Sequence, residues 1–239
     1  MSRMMQRAAM GAAAVALVLG TAATASAQVV HSIGFGAGIF SPRSLDARDI
    51  DDVLVENLNT LSFDIKDFRG GQVFGEWAMS FNDRVELALG GGYYRRTVPS
   101  VYTDYINNNG REIEQDLRLQ VVPMSAIVRF LPVGRAGKAQ PYLGGGISAL
   151  RWRYSEIGEF VDFNDNFAVF RDRYIANGTT LAPVVLGGLR LPLGGDVYAL
   201  NTEFRYQFGS GDLGANSGFL TEKIDLSGLN FTVGFQIRF

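Results

Sequence analysis

Few side chains in this sequence can do acid–base or metal chemistry. It has one histidine, His31, and no cysteine. Thiolate nucleophiles, disulfides and thiolate metal sites are therefore excluded. An imidazole-assisted nucleophile would rest on His31 alone, and no second histidine offers a metal pair. Asp49, Asp51 and Asp52, and the run Asp162-Phe163-Asn164-Asp165-Asn166, carry oxygens that could face calcium. They lack the glycine and closing glutamate of an EF-hand and read as solvated acidic loops. Gly144-Gly145-Gly146 has no helix after it to receive an anion. No catalytic, cofactor-binding or metal-binding residue is assigned. What remains is a set of charges spaced along alternating apolar segments: Glu76, Glu86, Glu203, Arg129, Arg151, Arg190, Arg205 and Arg238.

The elements that must position those charges show a period of two. From Leu229 to Phe239 every odd residue is apolar and every even residue is polar or glycine. That alternation predicts a strand with one apolar and one wet face. Eight such strands are expected, at about 30–40, 71–81, 84–96, 117–131, 141–154, 180–192, 196–208 and 228–239. Asn82-Asp83, Pro132 to Gln140 and Leu193 to Gly195 are short connections rich in turn formers. The other four, at about 41–70, 97–116, 155–179 and 209–227, are long. This regular exchange of long and short loops predicts an eight-stranded antiparallel up-and-down transmembrane β-barrel. Its short turns face the periplasm and its four long loops are extracellular.

Alternation also predicts the faces. Val73, Gly75, Trp77, Met79 and Phe81 oppose Gln72, Phe74, Glu76, Ala78 and Ser80. Tyr198, Leu200, Thr202, Phe204, Tyr206 and Phe208 oppose Asn201, Glu203, Arg205 and Gln207. Alternation alone does not say which face is inside; the N-terminal leader described below and the terminal Phe239 decide it, and they assign the apolar face to lipid and the charged face to the lumen. Two aromatic belts are expected outside: Phe81, Phe130, Tyr142, Tyr198 and Phe239 near the short turns, and Tyr93, Trp152, Tyr154, Tyr206 and Phe208 near the long loops. Pro123 and Pro183 require a bulge or a missing ladder bond. Helical spacing in two loops predicts short amphipathic helices through Ile50, Val53, Leu54, Asn57, Leu58 and Leu61, and through Phe160, Phe163, Phe167, Phe170 and Tyr174.

The N-terminus reads as a secretory leader, residues 1–27. Arg3 and Arg7 precede the apolar run Met10 to Leu19, and Ala25-Ser26-Ala27 is a cleavage site before Gln28. Residues 28–239 then form one barrel domain. Loss of the two leader arginines changes the net charge from −2 to −4, which argues against a nucleic-acid partner. No later run reaches eighteen apolar residues, so no membrane helix is expected.

The leader, Pro141-Tyr142-Leu143-Gly144-Gly145-Gly146, Gly90-Gly91-Gly92-Tyr93 and the final Phe235-Gln236-Ile237-Arg238-Phe239 together resemble the small outer-membrane β-barrel domain family of OmpA-, OmpX- and OmpW-like proteins. The resemblance covers about 30–239 and the barrel only, with no periplasmic domain. It implies a non-enzymatic integral protein of the bacterial outer membrane, monomeric, without cofactor, in an envelope or surface-interaction role. OmpW-like members imply an alternative, transport of small hydrophobic molecules. Implied partners are outer-membrane lipid, lipopolysaccharide and the barrel-assembly machinery, the last reading Phe235, Ile237 and Phe239. Enzymes on related barrels use a histidine near the outer leaflet, whereas His31 falls at the periplasmic start of the first strand.

Within the lumen, Glu76, Glu86, Glu203, Arg129, Arg151 and Arg205 are expected to form an ion network, because desolvated carboxylates need cationic partners. Glu86 and Arg129 share one height on adjacent strands. With Arg153, Arg190 and Arg238 also inward, arginines are expected to outnumber the three acids.

Overall fold

The computed structural model describes residues 29–239 except Asn164, Asp196 and Asn216. The expected leader, residues 1–27, lies outside the described residues. The strands are β1 (Val30–Pro42), β2 (Leu61–Ser62), β3 (Gly70–Ser80), β4 (Val85–Ile106), β5 (Glu112–Phe130), β6 (Gln140–Asp162), β7 (Ala168–Pro192), β8 (Tyr198–Gln207), β9 (Ser210–Asp212), β10 (Lys223–Asp225) and β11 (Gly228–Arg238). One α-helix, α1, spans Val53–Asn57. No helix among the described residues is long and apolar enough to cross a membrane, which says nothing of strands.

Eight long strands close into a ring. Each pairs antiparallel with its neighbour in the order β3-β1-β11-β8-β7-β6-β5-β4, and β4 returns to β3. Closure is made by β1 and β11, in register from Ser32↔Arg238 to Pro42↔Gly228. Phe239 extends that ladder, donating its N–H to the His31 carbonyl at 2.9 Å. The β3–β4 turn is set by Asn82, whose Oδ1 accepts from the N–H groups of Arg84 and Val85, both at 2.8 Å. That short side chain replaces the backbone acceptors a tight turn leaves unused.

Proline punctuates the ring as its missing N–H requires. The β4–β5 ladder breaks beside Pro123, running to Gly91↔Met124 and resuming at Tyr94↔Val121 without a change of register. The β7–β8 ladder begins at Val184↔Gln207, one residue past Pro183.

Two of the expected long loops are instead extensions of strands. β4 and β5 run on to a short turn near Gly110, and β6 and β7 pair as far as Asp162↔Ala168. The result is a four-stranded sheet rising beyond the rest of the ring. The helix expected through Phe160 to Tyr174 is therefore absent. Phe160 and Phe170 are cross-strand partners with ring centroids 5.8 Å apart. Their spacing suits a helix, but the β6–β7 ladder continues through them and joins their backbone groups across the hairpin. The first loop does hold α1, and Leu61–Ser62 pairs with β4 as a separate piece.

The outer face carries exposed apolar residues on all eight long strands, among them Phe35, Val73, Leu89, Met124, Ile147, Leu181, Phe204 and Val233. The phase expected for β6 is wrong. Tyr142, Trp152 and Tyr154 are 3%, 2% and 0% exposed and point inward. Arg151 and Arg153 point outward and are exposed. A strand tilted by about 40° climbs roughly 2.5 Å per residue, so an apolar band about 25 Å tall is crossed in about ten residues. Arg151 lies beyond that height, where the outer face meets polar surroundings and a charge no longer marks the lumen.

Candidate functional site

The interior divides into an ionic lower half and an apolar upper half. The lower half centres on Arg129 of β5. Its Nη2 lies 2.7 Å from Glu76 Oε2 and 2.7 Å from Glu203 Oε2. Its Nη1 lies 2.8 Å from Glu76 Oε1 and 3.3 Å from Glu86 Oε1. One guanidinium thus joins carboxylates from β3, β4 and β8. Arg190 of β7 reaches across to Glu86, with Nη2 and Nη1 at 2.9 and 3.1 Å from its two oxygens. Arg205 donates from Nε and Nη2 to Glu203 Oε1 at 3.0 and 2.9 Å. Such forked contacts are the strong form of a charge-assisted hydrogen bond.

Neutral groups complete the shell. Tyr142 donates to Glu203 at 3.1 Å and Ser80 to Glu86 at 3.2 Å. The Arg129 and Arg190 guanidinium carbons stand 5.1 and 5.7 Å from the Tyr142 ring centre, near enough for a cation–π attraction. Arg190 Nε donates to Asn201 at 3.3 Å, and Asn201 to Gln236 at 3.1 Å. Tyr142 crosses to β7 only because Gly188 lies beneath it. A Cβ there would come within 2.4 Å of the tyrosine ring and hydroxyl.

The structure therefore brings together Glu76, Glu86, Glu203, Arg129 and Arg205. It does not bring in Arg151, which is on the opposite face. With Arg151 and Arg153 on the outer face, the expected excess of positive charge narrows, and the network itself holds three acids and three arginines. Arg190 and Tyr142 are the members that the proposed set lacked. Arg190 had the inward parity of β7. Tyr142 was hidden because both faces of β6 carry apolar residues, so alternation fixes no phase there. Above the network is a cavity of about 40 Å³ beside Ser125, Ser148 and Arg205, room for only a few waters.

The upper half is filled by the first loop. Asp52 caps α1, accepting from the Leu54 N–H at 3.3 Å. It also pairs with Arg48, which donates to the Asp225 carbonyl at 2.8 Å. This clamp ties the first loop to the last. Val53, Leu54 and Phe68 are fully buried against Tyr94, Leu117, Leu150 and Trp152. A buried polar cluster is set into this apolar mass. Glu156 accepts from Asn57 at 2.6 Å and from Tyr154 at 2.9 Å. Burial pushes the Glu156 carboxyl up, against the two hydrogen bonds. Burial also raises that of Asp52, with Arg48 pulling the other way.

Phe235 packs on the outer face, 5.6 Å from Tyr198 and 6.0 Å from Phe35 between ring centres. Phe239 is largely exposed, and its ring lies 6.2 Å from that of His31. His31 also stacks on Trp77 at 5.6 Å. Among the described residues no group of three or more His, Cys, Asp or Glu could hold a metal ion.

A closed antiparallel ring, apolar outside and charged inside, has the architecture of an outer-membrane β-barrel. No family model matches the sequence, and no curated protein matches it. Several solved structures are similar. The outer membrane protein OprG of Pseudomonas aeruginosa shares 13% identity at a TM-score of 0.48, over 88% of this chain and 96% of that one. Neisserial surface protein A shares 14% identity at a TM-score of 0.45, over 88% and 97%. Ail, the attachment invasion locus protein of Yersinia pestis, shares 13% identity at a TM-score of 0.42, over 88% and 99%.

Proposed function

We propose that this protein is a non-enzymatic integral barrel of the bacterial outer membrane, with a lumen plugged by its own side chains and a role exercised at the cell surface. The carrying observation is the Arg129 network. A guanidinium bound to carboxylates of three strands spans the lumen, and the first loop fills the space above it. An interior of eight strands is just wide enough for side chains to fill. What is left to act is the exterior. There the β4–β7 sheet ends in an aromatic tip, where Tyr105 packs against Phe163 and Phe167 with both centroid distances 5.5 Å. Both phenylalanines are about half exposed.

The alternative, passage of small hydrophobic molecules, would require the upper core around Leu54 and Trp152 to open. Purified protein in planar bilayers tests the plug. No stable porin-sized conductance is expected, and its appearance would overturn the reading. Uptake of small apolar solutes into liposomes carrying the protein would favour the alternative.

A further inference from the structure

The outer face of the β4–β7 sheet changes character abruptly at one height. The row Gly91, Met124, Ala149 and Leu181 belongs to the apolar band. One row higher, Arg151 sits between Val122 and Thr179. The next row reads Arg95, Gln120, Arg153 and Asn177, and the one above it Thr97, Arg118, Ser155 and Ile175. Rows are about 7 Å apart along the strand and strands about 4.8 Å apart. Arg95, Arg118, Arg151 and Arg153 therefore occupy one small patch on three adjacent strands.

None of these four arginines has an ion pair among the described residues. Arg118 donates Nε to Thr97 at 3.0 Å, which fixes its direction and leaves the rest of its fork free. The outward acid nearest on β5 is Asp116, two residues above Arg118, and it too lacks an ion pair among the described residues. Arg95, Arg118 and Arg153, with Arg173 from the row above, line a hollow of about 180 Å³ whose other walls are Gln120 and Ser155. Every one of these lining groups can donate a hydrogen bond. Like charges crowded without acids are unfavourable unless an anion joins them. Arginine forks match phosphate oxygens two at a time.

We infer that Arg95, Arg118, Arg151 and Arg153 form a binding site for the phosphate groups of lipopolysaccharide, whose acyl chains lie on Met124, Ala149 and Leu181 below. Height and charge choose this occupant together: the patch begins where the apolar band ends, which is where the phosphates of an outer-leaflet lipid stand. The inference rests on the outer-membrane reading, and it names the lipid face that reading leaves open. Lipid contact on one side of the barrel also gives the rising sheet a fixed anchor.

The test uses the full chain refolded in detergent micelles, with lipopolysaccharide and its dephosphorylated form as probes. The variant R95Q/R151Q/R153Q is expected to bind lipopolysaccharide at least tenfold more weakly than the parent. The variant R111Q/K138Q/R171Q carries the same charge change elsewhere and is expected to stay within twofold. Dephosphorylated lipid should bind the parent as weakly as the first variant binds the intact lipid. Lysine replacements, R95K/R151K/R153K, should retain only part of the affinity, since lysine keeps charge without the fork. Equal binding by the two glutamine variants, or of the two lipids, would overturn the site. Complete displacement by millimolar inorganic phosphate would reassign it to a free anion. Heat-dependent gel mobility checks that each variant is folded. Cell fractionation separately tests the location, so failure there and failure of the site are distinct results.

Discussion

The two halves of the interior are filled by opposite means. Below, Glu76, Glu86 and Glu203 meet Arg129, Arg190 and Arg205, all supplied by barrel strands. Above, Val53, Leu54, Ile65 and Phe68 come from a loop and pack on Leu117, Leu150 and Trp152. The lower half is charge-balanced; the upper half is mainly apolar. Each solution fits its place. A strand residue facing the lumen inside the membrane can be polar because lipid never sees it, whereas the first loop must bury apolar surface to stay at the mouth.

If the lower half is a dry ion network, removing its shared cation should have the largest effect. Arg129→Met leaves three carboxylates short of a partner and is expected to cost about 3–5 kcal/mol. Denaturant unfolding in detergent or lipid vesicles measures it. A loss below about 1 kcal/mol would mean that water already screens the site. The upper half should respond as an ordinary core. Leu54→Ala is expected to cost about 2–5 kcal/mol, and to loosen the first loop without unzipping the ring. Protease nicking of that loop in an otherwise heat-resistant barrel would show it. Nicking of the variant no faster than of the parent would erase the distinction between halves.

Coupling sharpens the contrast further. Glu86→Gln and Arg190→Met should be non-additive by about 1–3 kcal/mol, because Glu86 is the carboxylate partner of Arg190, and without Arg190 it keeps only the longer contact to Arg129. Leu54→Ala combined with either should be additive. The smallest effect is the pH response of Glu156. Burial raises its folded-state pKa above the ordinary carboxylate range. The folded state then holds this proton more tightly than the unfolded chain does. The stabilisation is full below the ordinary range and fades as pH rises through the folded value. Glu156→Gln should flatten that fall, and an unchanged pH profile would mean Glu156 does not titrate there.

Much of this was legible from residue order. The closing strand follows from strict alternation and the short turns from their Gly, Pro, Asn and Asp; the inward direction of Glu76, Glu86, Glu203, Arg129 and Arg205 follows only once the leader and the terminal Phe239 assign the charged face to the lumen. Legibility failed where alternation had no contrast. In β6, Tyr142, Leu150 and Trp152 alternate with Leu143, Ile147 and Ala149, so both faces look apolar and the parity rests on Arg151, which lies above the lipid. The rule that charges point inward holds only within the height of the lipid. The aromatic hairpin at Phe160 to Tyr174 failed differently, because its backbone pairs across the turn and local spacing reports nothing of that partner. The contact of α1 with Tyr154 and Glu156 joins residues about a hundred apart, which no local pattern encodes.

The wiring of the ionic half orders the events of folding. Glu86 and Arg129 are direct partners on β4 and β5 and can meet as soon as that hairpin forms. Arg129 to Glu203 and Arg190 to Glu86 run across the lumen, and neither contact exists on an open sheet. An unclosed ring would carry Glu203 and Arg190 without these partners, at a cost of several kcal/mol per ion wherever water is scarce. Closure and neutralisation are then one cooperative event. A half-closed barrel would be the least stable form, giving insertion an all-or-none end point and leaving little room for a long-lived leaky intermediate.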